Sequence, residues 1–185
     1  MGGVPNTGVS LSNGSYTVAA SGRGTATFTA SSRASGLAAT YTLIFYLGPS
    51  GSAVFQETDS SITSDGLFTK QQSAAFTQVS IQGNYAFNSS GTSGASAQVI
   101  SGQLATSAGA VTSGAIDINT AGTLTPGEAV TGAYTMPAAN GRAVPTLNPS
   151  TDNRNFAAYI VNSGQVFVVG IDSGRVAVGA LNRRF

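Results

Sequence analysis

One order of residues occurs twice in this chain. Gly14-Ser15-Tyr16-Thr17 is followed by Gly22-Arg23, and Gly132-Ala133-Tyr134-Thr135 is followed by Gly141-Arg142. The tyrosines are 134 − 16 = 118 residues apart. Behind each lies an aromatic stretch (41–47 and 156–161), a Gly-containing turn, and a second stretch ending in aspartate. Those aspartates, Asp59 and Asp172, are 172 − 59 = 113 residues apart. Residues 72–128 have no upstream counterpart. An internal period constrains a fold more than any local motif, because each copy must form the same supersecondary unit. The expected organisation is residues 1–71 as the C-terminal half of a repeat module, with about five strands, and 72–185 as a complete module, with about eight.

The fold class follows from short β-branched or aromatic runs bounded by Gly, Asn, Ser or Pro. Strands are expected near 14–20, 23–30, 39–47, 52–58 and 62–70. The complete module adds 80–88, 97–106, 110–119, 130–136, 142–147, 155–162, 165–171 and 175–182. Glycine-containing turns such as Ser21-Gly22, Pro49-Ser50-Gly51, Asp65-Gly66, Asn140-Gly141, Ser163-Gly164 and Ser173-Gly174 separate them, since glycine accepts the positive φ of hairpin turns. Gln165 to Ile171 is almost continuously apolar and reads as a strand buried on both faces. No ten-residue stretch combines helical periodicity with caps, and Lys70 to Phe76 reads as a linker. The chain is expected to be all-β, an antiparallel hairpin meander of about 13 strands forming a barrel or a sandwich. Five antiparallel strands alone leave open edges that invite pairing.

Composition narrows the function classes. The chain is 41% hydrophobic but only 8% charged, with net charge +1, which separates it from disordered segments of high net charge. It holds one lysine, Lys70, and seven arginines, of which only Arg183-Arg184 are adjacent. Nucleic-acid binding needs a basic surface, so no nucleic-acid partner is expected. Cysteine is absent, which excludes disulfides and thiol chemistry. No apolar run is long enough for a transmembrane helix. Met1-Gly2-Gly3 leads into a turn-rich stretch without the charged start and apolar centre of a signal peptide. The Ser/Thr/Gly-rich, low-charge surface suits an extracellular or cell-surface location.

The full module resembles β-rich repeats of large secreted or cell-surface proteins of acidobacteria and related bacteria. The resemblance rests on Gly83-Asn84-Tyr85-Ala86-Phe87, on Thr112 to Asn119, on Val130 to Thr135 and on Gly141-Arg142. In the first copy it rests on residues 13–18 and 22–29. It implies a secreted structural repeat and carries no catalytic, cofactor or metal residue. The chain departs from the pattern at Ala143-Val144-Pro145, where Pro145 lacks a ladder donor, so an edge strand or a bulge is expected there.

The search for chemistry yields no catalytic, cofactor-binding or metal site. Histidine is absent, which removes Ser-His-Asp triads and imidazole metal ligands. Ser-x-x-Lys fails because Leu67 stands three residues before Lys70. Glu57 and Asp59 could share a strand face as glycosidase carboxylates do. Glu57 aligns with Gly170 in the other copy, and the pair reads as the solvent face of a strand end. Asp59 and Asp172 read as turn caps. Asp117-Ile118-Asn119 and Asp152-Asn153 offer oxygens of the kind calcium takes, without the spacing of a calcium loop. Arg23 and Arg142 read as packing across a hairpin. Tyr16, Tyr85 and Tyr134, each after a Gly-x pair at a strand start, read as core or rim packing.

The leading expectation is a non-enzymatic extracellular structural or adhesive repeat. Its partners are adjacent modules or identical chains, met through β-strand edges, with no cofactor. The alternative is a small-ligand-binding β-barrel, and a weaker one is a carboxylate glycosidase using Glu57.

Overall fold

The computed structural model describes residues 9–31, 39–59, 64–135 and 140–184. Met1-Gly2-Gly3, residues 62 and 63 of the fifth expected strand, and residue 136 lie outside the described residues. The chain divides into two compact units, Asn6–Lys70 and Gln71–Phe185. The fold is all-β and antiparallel, with thirteen strands among the described residues.

The first unit is a five-stranded open sheet. Its strands, in spatial and chain order, are β1 (Leu11–Val18), β2 (Arg23–Ala30), β3 (Ala39–Leu47), β4 (Ser52–Glu57) and β5 (Asp65–Thr69). Alternation separates its faces, because successive side chains of a strand point to opposite sides. One face carries a hydroxyl ladder: Ser15 with Thr27 at 2.9 Å and Thr17 with Thr25 at 3.0 Å. The other carries the apolar set, including buried Leu43 and Phe45. Asp65-Gly66, expected as a turn, lies inside β5. Gly66 is opposite Phe55, and a Cβ there would come within 2.7 Å of the Phe55 ring. The glycine makes room for an aromatic lid.

The second unit is a closed eight-stranded barrel. Its strands are β6 (Gly83–Ser93), β7 (Ser96–Ser107), β8 (Ala110–Thr120), β9 (Thr123–Thr135), β10 (Arg142–Pro149), β11 (Arg154–Asn162), β12 (Gln165–Gly170) and β13 (Arg175–Arg183). The ladder from β13 to β6 runs from Arg175↔Ser93 to Arg183↔Tyr85 and leaves no edge. Inward residues such as Tyr85, Phe87, Ile116, Phe156 and Ile160 form one core. An eight-stranded barrel is just wide enough for side chains to fill it. Residues 71–81 belong to this unit rather than to a linker. Gln72 N–H donates to the Val161 carbonyl at 2.7 Å, and two single-turn 3-10 helices, Ser73–Ala75 and Gln78–Ile81, bury Ala75 and Ile81 in the core.

Three local expectations change. Strand β9 begins at residue 123, not 130, because Pro126-Gly127 forms an irregularity within the strand rather than a turn. The Asp117 carboxylate accepts the Gly127 N–H there at 2.7 Å. Strand β10 is neither an edge nor bulged at Pro145. It pairs with β9 and β11, and the β11 ladder skips Val144 and Pro145 and resumes in the same register. Strand β12 is buried on one face only: Val166 and Val168 face the core, while Val169 is exposed.

The two units share a pairing pattern. Leu43↔Glu57, Phe45↔Phe55 and Ala53↔Phe68 in the sheet match Phe156↔Gly170, Ala158↔Val168 and Val166↔Leu181 in the barrel. Each match is displaced by 113 residues, as in 156 − 43 and 181 − 68. Across the preceding strands, Tyr16↔Ala26 matches Tyr134↔Pro145, and Gly24↔Phe45 matches Ala143↔Ala158. The five sheet strands are thus paired as β9 to β13 are.

Candidate functional site

The turns that set this shared geometry need glycine. Gly22 has φ 83° and Gly141 φ 66°, in the left-handed region, where a side chain is strained. Each is followed by an arginine that faces a tyrosine on the next strand, Arg23↔Tyr46 and Arg142↔Tyr159. Both tyrosines are exposed, so these arginines sit on the outer surface, across the strand pair.

The three tyrosines separate. Tyr85 is fully buried in the barrel and donates from its hydroxyl to the Ser163 carbonyl at 3.1 Å. Burial raises its pKa, with Arg183 opposing and Tyr134 adding to the rise. Tyr134 is also buried, and its hydroxyl has no hydrogen-bond partner. Tyr16, in the position matching Tyr134, is 75% exposed. Tyr16 and Tyr134 lie toward the ends of β1 and β9, not at strand starts.

The carboxylates serve the fold. Glu57 is not on a solvent face. It is 5% exposed and accepts a 2.6 Å hydrogen bond from the Ser64 hydroxyl. Asp59 lies beyond β4 and is half-buried. Asp172 reaches across to β11, accepting from the Asn155 N–H at 2.9 Å and its Nδ2 at 2.8 Å. Arg175 pairs with both Asp152 and Asp172. The Asn119 side chain accepts the Gly122 N–H at 2.9 Å, capping a hairpin turn. The described residues contain no group of three or more His, Cys, Asp or Glu side chains placed to hold a metal. At the C-terminal end, Arg184 donates to Gln103.

Among the described residues, two spaces lie inside the barrel. The larger is apolar, about 50 Å³, and lined by Tyr85, Phe87, Tyr134 and Phe156 among others. Ligand pockets are typically about 300 Å³ or more, so the interior is essentially filled by its own side chains. The second lies at the opposite end, beside buried Arg154, whose Nη1 donates to Gln98 at 2.8 Å and whose Nε is unpartnered. Burial lowers the Arg154 pKa, and Asp172 opposes that. That space is about 10 Å³, room for about one water. Sequence reasoning missed Arg154, because nothing in Asp152-Asn153-Arg154 marks its side chain as pointing into a barrel.

The sheet carries a larger space. An open groove of about 530 Å³ lies on the apolar face of β1–β5, lined by Tyr16, Ala26, Phe45, Leu47, Ala53 and Phe68. Leu47 and Phe68 are 55% and 43% exposed. Their counterparts at +113, Ile160 and Leu181, belong to the barrel interior. Among the described residues, β1 and β5 each have a sheet neighbour on one side only. A partly exposed apolar face between two edges open among the described residues is a surface suited to another polypeptide.

No helix among the described residues is long and apolar enough to cross a membrane. Comparison with known proteins finds no family model that matches the chain and no curated protein sequence that matches it.

Proposed function

We propose that the protein is a non-enzymatic structural or adhesive repeat of an extracellular or cell-surface protein, acting by β-strand pairing at the edges of its open sheet. The observation that carries this reading is the apolar face of β1–β5, which exposes Tyr16, Leu47 and Phe68 between two edges that are unpaired among the described residues. Unpaired N–H and C=O groups on an edge template the addition of a further strand. The absence of histidine and cysteine, and the use of Glu57 and Asp172 in structural hydrogen bonds, support a role without chemistry. The side-chain-filled barrel favours this over ligand binding.

Sedimentation velocity over a range of concentrations tests the reading. The expected outcome is concentration-dependent association, lost when Leu67→Pro and Val18→Pro are placed in the edge strands, at positions whose N–H groups point away from the neighbouring strand. A strictly monomeric chain whose β1 and β5 amides are already protected from exchange would sink it.

A further inference from the structure

The geometry points to a specific occupant for the open sheet: a three-stranded antiparallel meander of the β6–β8 type, closing β1–β5 into an eight-stranded barrel. This rests on the structural-repeat reading and names the partner of its surface. In the barrel, β9 and β13 are the two strands that β6, β7 and β8 join on the far side. Their counterparts by register are β1 and β5, the two open edges of the sheet. Eight minus five leaves three strands, the number that bridges those positions in the barrel. A second copy of the open sheet would bring five strands to the same gap.

The side chains agree. On β6–β8 the inward row includes Tyr85, Phe87, Leu104 and Ile116, packed in one core with Tyr134 and Ile160. Tyr16 and Leu47 occupy the matching positions in the sheet and lack such a cover, which leaves a groove of about 530 Å³ where the closed barrel retains about 50 Å³.

The sheet also specifies how its cover differs from β6–β8. It places Phe45, Phe55 and Phe28 where the barrel has Ala158, Val168 and Leu147. Interiors are close-packed and extra volume forces side chains from their rotamers. Leu43, Ala53 and Gly24 stand in turn where the barrel has Phe156, Val166 and Ala143, so the occupant carries smaller inward residues than β6–β8 where it meets these rings.

The test adds a copy of residues 83–122 to the full chain, on the N-terminal side of β1. A second version carries Phe87→Ala in the copy, to relieve crowding. A third carries Leu104→Asp and Ile116→Asp there, to spoil the inward row. Amide exchange at Tyr16, Val18 and Leu67, whose N–H groups point away from the neighbouring strand, is read with the oligomeric state. Closure is expected to slow exchange at both edges by about 100-fold or more, since these amides pass from edge to barrel interior. The protein becomes monomeric, with the Phe87→Ala copy protecting at least as well as the unaltered one and the Asp copy not at all. If neither of the first two copies protects the edges while the barrel stays folded, the inference is overturned and the structural reading stands. If the unmodified chain dimerises with Tyr16 protected, an identical chain is the occupant and the inference is overturned likewise. If the unmodified chain is monomeric with both edges already slow to exchange, both fail.

Discussion

The open sheet and the last five strands of the barrel pair in the same way, yet the barrel buries its inner face while the sheet, with Leu43 and Phe45 buried, still displays Tyr16, Leu47 and Phe68. Leu47 and Ile160 occupy matching positions, 113 apart, and are 55% and 0% exposed. The strands' own sequences do not account for that difference. It arises because β6–β8 stand between β13 and β9 and nothing described stands between β5 and β1. Burial is thus a property of strand number and closure as much as of a strand's own pattern. The aromatic character of the sheet fits its situation. Phe55 stacks on Phe68 at 4.4 Å and Phe28 on Tyr41 at 5.1 Å, so large rings cover part of the face that a second layer covers in the barrel.

Paired substitutions sharpen this contrast most. Ile160→Ala is expected to destabilise the barrel by about 2–5 kcal/mol, as truncation in a close-packed core does. Leu47→Ala is expected to change the sheet by about 0.5 kcal/mol or less, the range of exposed sites. Denaturant unfolding with residue-resolved exchange separates the two; equal losses would break the comparison. Asp172→Ala comes next, costing about 1–3 kcal/mol by leaving the Asn155 N–H without its acceptor, visible as faster exchange of that amide.

Smaller effects probe the tyrosines. Tyr134→Phe removes a buried hydroxyl with no partner and is expected to stabilise the barrel by about 1 kcal/mol. Tyr16→Phe, on the exposed counterpart, is expected to leave the melting temperature unchanged. At neutral pH Tyr85 contributes no pH dependence. Its folded pKa is raised above the ordinary tyrosine value of 10.0, chiefly by burial, so the unfolded chain loses this proton first. The stability linked to it is complete below pH 10.0 and falls as pH rises above that value toward the folded pKa. An alkaline titration of unfolding should show this decline, and Tyr85→Phe should reduce it.

Much of the fold was legible because alternation and turn glycines are local. The expected strands 23–30 and 39–47 coincide with β2 and β3, and most others differ by a few residues. Strand β9 extends beyond the expected 130–136 because pairing with β8 carries the chain through Pro126-Gly127 as strand, with Asp117 bridging the irregularity. Strand β6 runs to Ser93, past the expected 88, because Ser89 to Ser93 lack an apolar rhythm and are held by β7 and β13 instead. Of the candidate site, Glu57 was misplaced on a solvent face, since two carboxylates near a strand end look alike until Ser64 is brought to one of them. Arg154 gave no signal at all.

The sequence by itself determined an antiparallel all-β chain of thirteen strands, because side-chain periodicity and positive-φ turns act between near neighbours. It also placed Gly-x-Tyr and Gly-Arg at two separate positions. Only the tertiary structure decided that one tyrosine of the pair, Tyr134, lies inside a closed barrel while Tyr16 lies on an open face. That outcome depends on which strands meet across long sequence separations. Ring closure joins Arg183 to Tyr85, and no short window of residues encodes such a contact.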